Sequence, residues 1–290
     1  MPTYLNDGTT EPPKLAVYLN TDNLADKPEN LNWPDYPELS GIEALKADGF
    51  EGLQIVAEDP TPGSPLPFCG LDRINKPKAA DEIVHTHKLR GDQCISVHVG
   101  WGIESDREID LLLEALLTAS EKHQLPLFLE THRATITQDM WRTVEFTKRF
   151  PDILFNGDFS HYYCGQEMPY GVIEDKFDFM QPIFDRVGFM HGRIASPGHI
   201  QAPVNDTLDA PPDFSSCQTN YVAHFREMWT RSMRGFKTQA GPGDVLIFAP
   251  ELLSPTYDYA NTDKQGTEES DRYAQALLYM KLAKACFCSA

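Results

Sequence analysis

No run of about 18 consecutive apolar residues occurs in the 290-residue chain, so no membrane-crossing helix is expected. The chain has no C-x-x-C. Its cysteines, at 69, 94, 164, 217, 286 and 288, are scattered and read as reduced thiols, which excludes a zinc–thiolate site from the expectations. No G-x-G-x-x-G follows the first apolar run, so a dinucleotide-binding reading lacks its usual support. Basic residues are scarce: 25 Lys and Arg stand against 43 Asp and Glu, a net charge of −18. A surface that negative repels phosphate backbones, and no nucleic-acid partner is expected. No low-complexity block or linker separates two compositions, so residues 1–290 read as one domain with a flexible lead-in over 1–13. The opening MPTYLNDGTTEPPK lacks the basic-then-apolar pattern of a signal peptide, and the expectation is a cytoplasmic protein without a membrane partner.

What is present is an alternation of apolar runs and helical periodicity. KLAVYLN (14–20), FEGLQIV (50–56), CISVHVG (94–100), LPLFLE (125–130), ILFNGDF (153–159), VGFMHGR (187–193) and DVLIFAPEL (244–252) read as strands. Between them, helical spacing falls over 37–50, 80–90, 105–123, 137–150, 174–186 and a segment ending at Phe236, with 268–286 closing the chain. Ser105 and Glu108 form a capping-box pattern, and Thr137 is the expected cap of its helix. The Pro- and Gly-rich stretch 57–80 reads mainly as a loop, as does 196–214. Strands apolar throughout and alternating with helices imply a parallel sheet covered on both faces. Seven such units in this length fit a (β/α)8 barrel better than an open sheet. The eighth strand is expected near Gln201 to Val204, as an irregular strand seven.

The strand ends carry the chemistry. Glu130 closes one strand, Asp158 follows the next, His191 lies near the end of a third, and Glu251 ends the last. The separations are 28, 33 and 60 residues, which read as one, one and two β/α repeats. In a barrel every strand C-terminus lies on one rim, so these four are expected in one pocket. Each acid taken singly reads as a solvated loop carboxylate, and His191 alone as a core histidine. Three carboxylates gathered in a low dielectric need a positive charge or must protonate. A divalent cation, Mn²⁺, Zn²⁺, Mg²⁺ or Co²⁺, answers that need. His98, His161, Arg193 and His199 are expected to line the substrate pocket, His161 being equally readable as a ligand of a second metal. His132 and Arg133 read as partners of neighbouring loops, and His85 and His87 as surface residues. Tyr162, Tyr163, Trp101 and Phe159 are candidates for pocket walls.

With ETHR at 130–133, GDFSH at 157–161, HGR at 191–193 and PEL at 250–252, the chain resembles the xylose isomerase-like TIM barrels, the sugar phosphate isomerase/epimerase family, over about residues 14–285. The resemblance implies that Glu130, Asp158, His191 and Glu251, on strands four, five, six and eight, bind one metal. It also implies that Glu130 and Glu251 act as the acid/base pair. Members of the family often follow the strand-six His with an Asp and a later Arg; HGRIASPGH offers Arg193 and His199 instead, which leaves the substrate open. No Gly-rich phosphate cradle follows a strand, so a phosphorylated substrate is unsupported.

The activity expected is isomerisation or epimerisation of a sugar or sugar-like ketone, by proton transfer through a metal-stabilised enediolate. The rivals are an AP-endonuclease-like metal hydrolase and a non-catalytic sugar-binding barrel. The expected partner is a small carbohydrate, with homo-oligomerisation left open.

Overall fold

The computed structural model describes residues 3–56, 59–204 and 221–290. Eight parallel strands close into a (β/α)8 barrel: β2 (Lys14–Asn20), β3 (Gly52–Ile55), β4 (Phe68–Ile74), β5 (Ile95–Val99), β6 (Leu127–Glu130), β7 (Phe155–Asn156), β8 (Val187–Gly192) and β9 (Asp244–Pro250). Each pairs with the next, and β9 pairs with both β8 and β2 to complete the ring. The strands are Val-, Ile-, Leu- and Phe-rich because the sheet is buried on both faces. Closure leaves the eight barrel strands without a free edge.

The lead-in is not free. Leu5–Asn6 forms β1, antiparallel to β9 with Leu5 opposite Val245, and the buried Tyr4 packs edge-on against Phe236 at 5.1 Å.

Around the ring lie α1 (Leu39–Ala47), α2 (Pro77–Arg90), α3 (Asp106–His123), α4 (Met140–Arg149), α5 (Ser160–Gly165), α6 (Ile173–Phe184), α7 (Tyr221–Gln239) and α8 (Arg272–Ser289). The capping box of α3 forms as the sequence suggests: Ser105 Oγ accepts from Glu108 N, and Glu108 Oε2 accepts from Ser105 N at 2.9 Å. Thr137 does not cap α4. Asp139 does, and Thr137 is used elsewhere.

Three placements depart from the sequence reading. The strand it left unplaced is Phe68–Ile74, inside the stretch read as a loop, and not at Gln201–Val204, where no strand forms. Among the described residues no helix lies between β3 and β4, so the usual alternation is broken there. Glu130, Asp158, His191 and Glu251 therefore sit at the ends of the fifth, sixth, seventh and eighth barrel strands, which are consecutive. The 60-residue gap before Glu251 holds one long excursion with α7, not an extra strand; residues 205–220 of that gap lie outside the description.

Candidate metal centre

At the C-terminal mouth of the barrel six of the eight strands contribute a polar residue to an otherwise apolar wall. Asn20 (β2), Gln54 (β3), Ser96 (β5), Glu130 (β6), Asn156 (β7) and His191 (β8) are all buried. They are wired together. Asn20 Nδ2 donates to Gln54 Oε1 at 3.0 Å and to Glu251 Oε1 at 3.1 Å. Asn156 Nδ2 donates to Ser96 Oγ at 2.8 Å and to Glu130 Oε2 at 3.3 Å. A buried polar layer of this kind is stable only when its members satisfy one another.

Above this layer Glu130, Asp158, His191 and Glu251 converge, with one ligand-type atom from each lying within 4.8 Å of the others. All four are buried. His191 Nε2 donates to Gln54 Oε1 at 2.8 Å, which turns Nδ1 toward the acids, 3.1 Å from Glu251 Oε2 and 3.5 Å from Glu130 Oε2. Asp158 Oδ1 is occupied by Ser160, whose backbone N–H lies at 3.0 Å and whose hydroxyl also donates. Its Oδ2 has no hydrogen bond, with His161 Nε2 at 3.4 Å and Arg193 Nη1 at 3.5 Å. Arg193 Nε donates to Glu251 O at 2.9 Å, its Nη2 contacts Glu251 Oε2, and its guanidinium lies 4.8 Å from the centre of the Tyr259 ring.

The electrostatics follow from this packing. Burial opposes ionisation of Glu130, but the His98 and His191 rings hold its pKa well below the usual carboxylate range. Asp158 is likewise held low against burial, by Arg193 and His161. Burial disfavours a charged His191, yet Glu251 and Glu130 outweigh it and raise its pKa to about 10.

A divalent cation fits this set. Asp158 Oδ2 and His191 Nδ1 are buried polar atoms without hydrogen bonds, aimed into the cluster. With a 2+ ion in place and His191 neutral, the three carboxylates are balanced by the ion and Arg193. Oxygen atoms with one imidazole nitrogen suit Mn²⁺, Mg²⁺, Zn²⁺ or Co²⁺.

A cavity of about 200 Å³ opens onto the cluster, lined by Glu130, His132, Arg193, Glu251, Tyr257 and Tyr259 among others. His98 lines it too, with Nε2 3.0 Å from Glu130 Oε1. His161 is buried beside Asp158, under the His132 ring at 3.8 Å. His199 is apart from these. It is exposed and lines a separate outer cavity of about 530 Å³ with Arg133, Tyr259 and Asn261. Tyr162, Tyr163 and Phe159 are core residues: Tyr162 bonds Thr143, Tyr163 bonds His224, and Phe159 packs on Phe184. Trp101 is exposed at the rim beneath Arg73. His87, read as a surface residue, is buried between Asp92 and Asp72.

His132 is the residue the sequence undervalued. It lines the cavity and stacks between His98, at 4.4 Å, and His161. His98, Glu130 and His132 form a second group whose ligand-type atoms lie within 4.8 Å. The neutral residues of the polar layer, and the loop tyrosines 257 and 259, were also missed. A polar side chain inside an otherwise apolar strand is the signal that would have found Asn20, Gln54, Ser96 and Asn156.

No family model matches the chain, and no curated protein matches it in sequence. Among solved structures, a D-tagatose 3-epimerase-like protein aligns over 93% of this chain and 99% of its own, at 11% identity and a TM-score of 0.48. A 7,8-dihydropteroate synthase from Vibrio fischeri ES114 aligns over 99% and 97%, at 11% identity and a TM-score of 0.36. A dihydrodipicolinate synthase aligns over 95% and 98%, at 13% identity and a TM-score of 0.34. None of these likenesses is close enough to bear on activity.

Proposed function

We propose that the protein is a divalent-metal-dependent isomerase or epimerase of a sugar or sugar-like ketone. The observation that carries this reading is the pair of buried glutamates, Glu130 and Glu251, brought from the fifth and eighth barrel strands to one cation-sized cluster beside a small cavity. Asp158 and His191 hold the cation with them. When bound, the cation polarises a substrate carbonyl and so acidifies the neighbouring C–H.

Glu130 and Glu251 are the groups that move the proton. The His98 and His191 rings favour the ionised form of Glu130 against burial, so its carboxylate is open to accept a proton. Glu251 is oriented by Arg193 and Asn20, which fix both of its oxygens. One glutamate takes the proton from the carbon next to the carbonyl. Delivery to the opposite face by the other glutamate, protonated from solvent for that step while the first keeps the proton it took, gives an epimer; return to the adjacent carbon, with the hydroxyl proton passing to the former carbonyl oxygen, gives the aldose or ketose isomer. The cavity of about 200 Å³ is below the usual size of sites for drug-sized ligands, which favours a monosaccharide-sized polyol over a polymer. The −18 net charge disfavours a nucleic-acid substrate.

The test is deuterium uptake. Ketoses and inosose-like ketones are incubated in D₂O with the protein and Mg²⁺ or Mn²⁺, and the recovered compounds are read by NMR. Metal-dependent uptake next to the carbonyl is expected. In Glu130→Gln and Glu251→Gln, turnover to product should fall by about 10²–10⁴-fold while some metal is retained. One of the two variants should still wash substrate hydrogen into solvent without forming product, because the remaining glutamate abstracts and returns the proton on its own face. Near-wild-type turnover in both variants would rule out the two-glutamate mechanism.

A further inference from the structure

His132 sits in a loop held by hydrogen bonds to its backbone and to one ring nitrogen. Its backbone N–H donates to Thr137 Oγ1 at 3.0 Å, and its carbonyl accepts from Thr135 Oγ1 at 2.8 Å. Thr137 Oγ1 in turn donates to Glu130 O at 2.6 Å, so the loop is pinned to the strand end that carries the glutamate. The ring's Nδ1 accepts the Ala134 N–H at 3.1 Å. That bond needs a lone pair on Nδ1. In the neutral ring the proton must therefore reside on Nε2, which becomes a donor and not a metal ligand. The same bond argues against a second cation held by His98, Glu130 and His132.

Among the described residues, no group accepts a hydrogen bond from His132 Nε2. Arg193 Nη1 is a second donor of the same cavity wall without a hydrogen bond, its nearest acid oxygen being Asp158 Oδ2 at 3.5 Å. A ring that accepts the Ala134 N–H at Nδ1 is neutral, since the imidazolium has a proton on both nitrogens. Two fixed donors without acceptors in one small cavity ask for a ligand rich in acceptor oxygens.

We propose that His132 is a neutral hydrogen-bond donor that seats an oxygen of the substrate, selecting hydroxy-ketones that place an acceptor oxygen against Nε2–H. This rests on the isomerase reading above. A neutral imidazole donor stabilises negative charge growing on that oxygen during proton abstraction without surrendering its own proton. The His98 and His161 rings pack against the His132 ring at tilted angles, with centroids 4.4 and 3.8 Å away.

The test has two independent arms. Long-range ¹H–¹⁵N spectra of Mg²⁺- or Zn²⁺-loaded protein at neutral pH, with His132 assigned by its loss in His132→Phe, report which nitrogen carries the proton. The Nε2–H tautomer is expected; an Nδ1–H tautomer or a cationic ring overturns the assignment whatever the activity. The second arm is hydrogen exchange of ketones with D₂O. His132→Phe keeps a stacking ring and should keep the metal-induced rise in melting temperature, but lose about 10²-fold in exchange rate. His132→Gln restores an N–H donor and should recover part of the loss. A wild-type exchange rate in His132→Phe overturns the proposal. If the unmodified protein exchanges no ketone at all, the isomerase reading falls and takes the substrate oxygen with it, whereas an Nδ1–H tautomer removes the donor alone.

Discussion

Gln54 carries no charge, yet it decides which nitrogen of His191 faces the acids. Its Oε1 accepts from His191 Nε2 at 2.8 Å and is itself steadied by Asn20 Nδ2 at 3.0 Å. Groups that orient a metal-binding imidazole typically account for 10- to 100-fold of metal affinity. Gln54→Leu removes the acceptor while keeping much of the volume, so its affinity for Mn²⁺ should fall by about 10- to 100-fold in calorimetry, with the fold unchanged by circular dichroism. An unchanged affinity would mean that packing alone sets the ring. The contrast with the glutamates explains what can be read from a sequence at this scale. Glu130, Asp158 and Glu251, each readable alone as a solvated loop acid, stand out because they recur at strand ends at repeat spacing. Gln54, Asn20 and Asn156 are marked only as polar residues inside apolar strands, and what they do is not legible until their partners on other strands are known.

At the scale of elements, β4 shows where pattern reading fails and why. Its sequence, FCGLDRI, mixes apolar, glycine and charged residues, and it follows β3 without a helix to mark the repeat. The charges are there because Asp72 serves α2: Asp72 and Asp92 hold the buried His87 between them, with His87 Nε2 3.2 Å from Asp72 Oδ2 and Nδ1 bonded to Asp92. Gly70 is glycine because any side chain there would overlap His87 and Asp92. A strand read as a loop was thus a strand specialised to receive one helix. Thr137 was misread for a related reason. It has the chemistry of a helix cap but spends its hydroxyl on Glu130 O and on the His132 loop, and Asp139 takes the cap two residues on.

The His87 cluster also gives this element pair a pH signature. Burial alone lowers the His87 pKa, but Asp72 and Asp92 outweigh it and raise it above 6.5. A group whose folded pKa is raised stabilises the fold fully below its unfolded value and loses that contribution as pH climbs through the folded value. The stability advantage of the wild type over His87→Gln, measured by urea unfolding, should therefore be larger at pH 5.5 than at pH 9. An equal advantage at both would mean that His87 is neutral throughout.

For the whole molecule, the barrel is what turns four distant residues into one site. Its architecture was legible because parallel strands buried on both faces read as continuous apolar runs. The place of the eighth strand was not, since the long excursion between β8 and β9 has the length of two units but supplies one among the described residues. Closure makes the error harmless for the site, because all strand ends share one rim whatever their numbers. No helix among the described residues is long and apolar enough to cross a membrane.

The cation is the centre of this reading, and its effect on stability is the direct measurement. Protein stripped with EDTA is melted with and without Mn²⁺, alongside Asp158→Ala, which deletes the ligand whose Oδ2 has no hydrogen bond. Ligand at 100 times its dissociation constant adds about 2.7 kcal/mol, which for a chain of this size is a rise of roughly 5–10 °C. The four-residue site predicts that rise in the wild type, one bound ion per chain by elemental analysis, and neither in Asp158→Ala. No rise in the wild type, or the same rise in the variant, would contradict it.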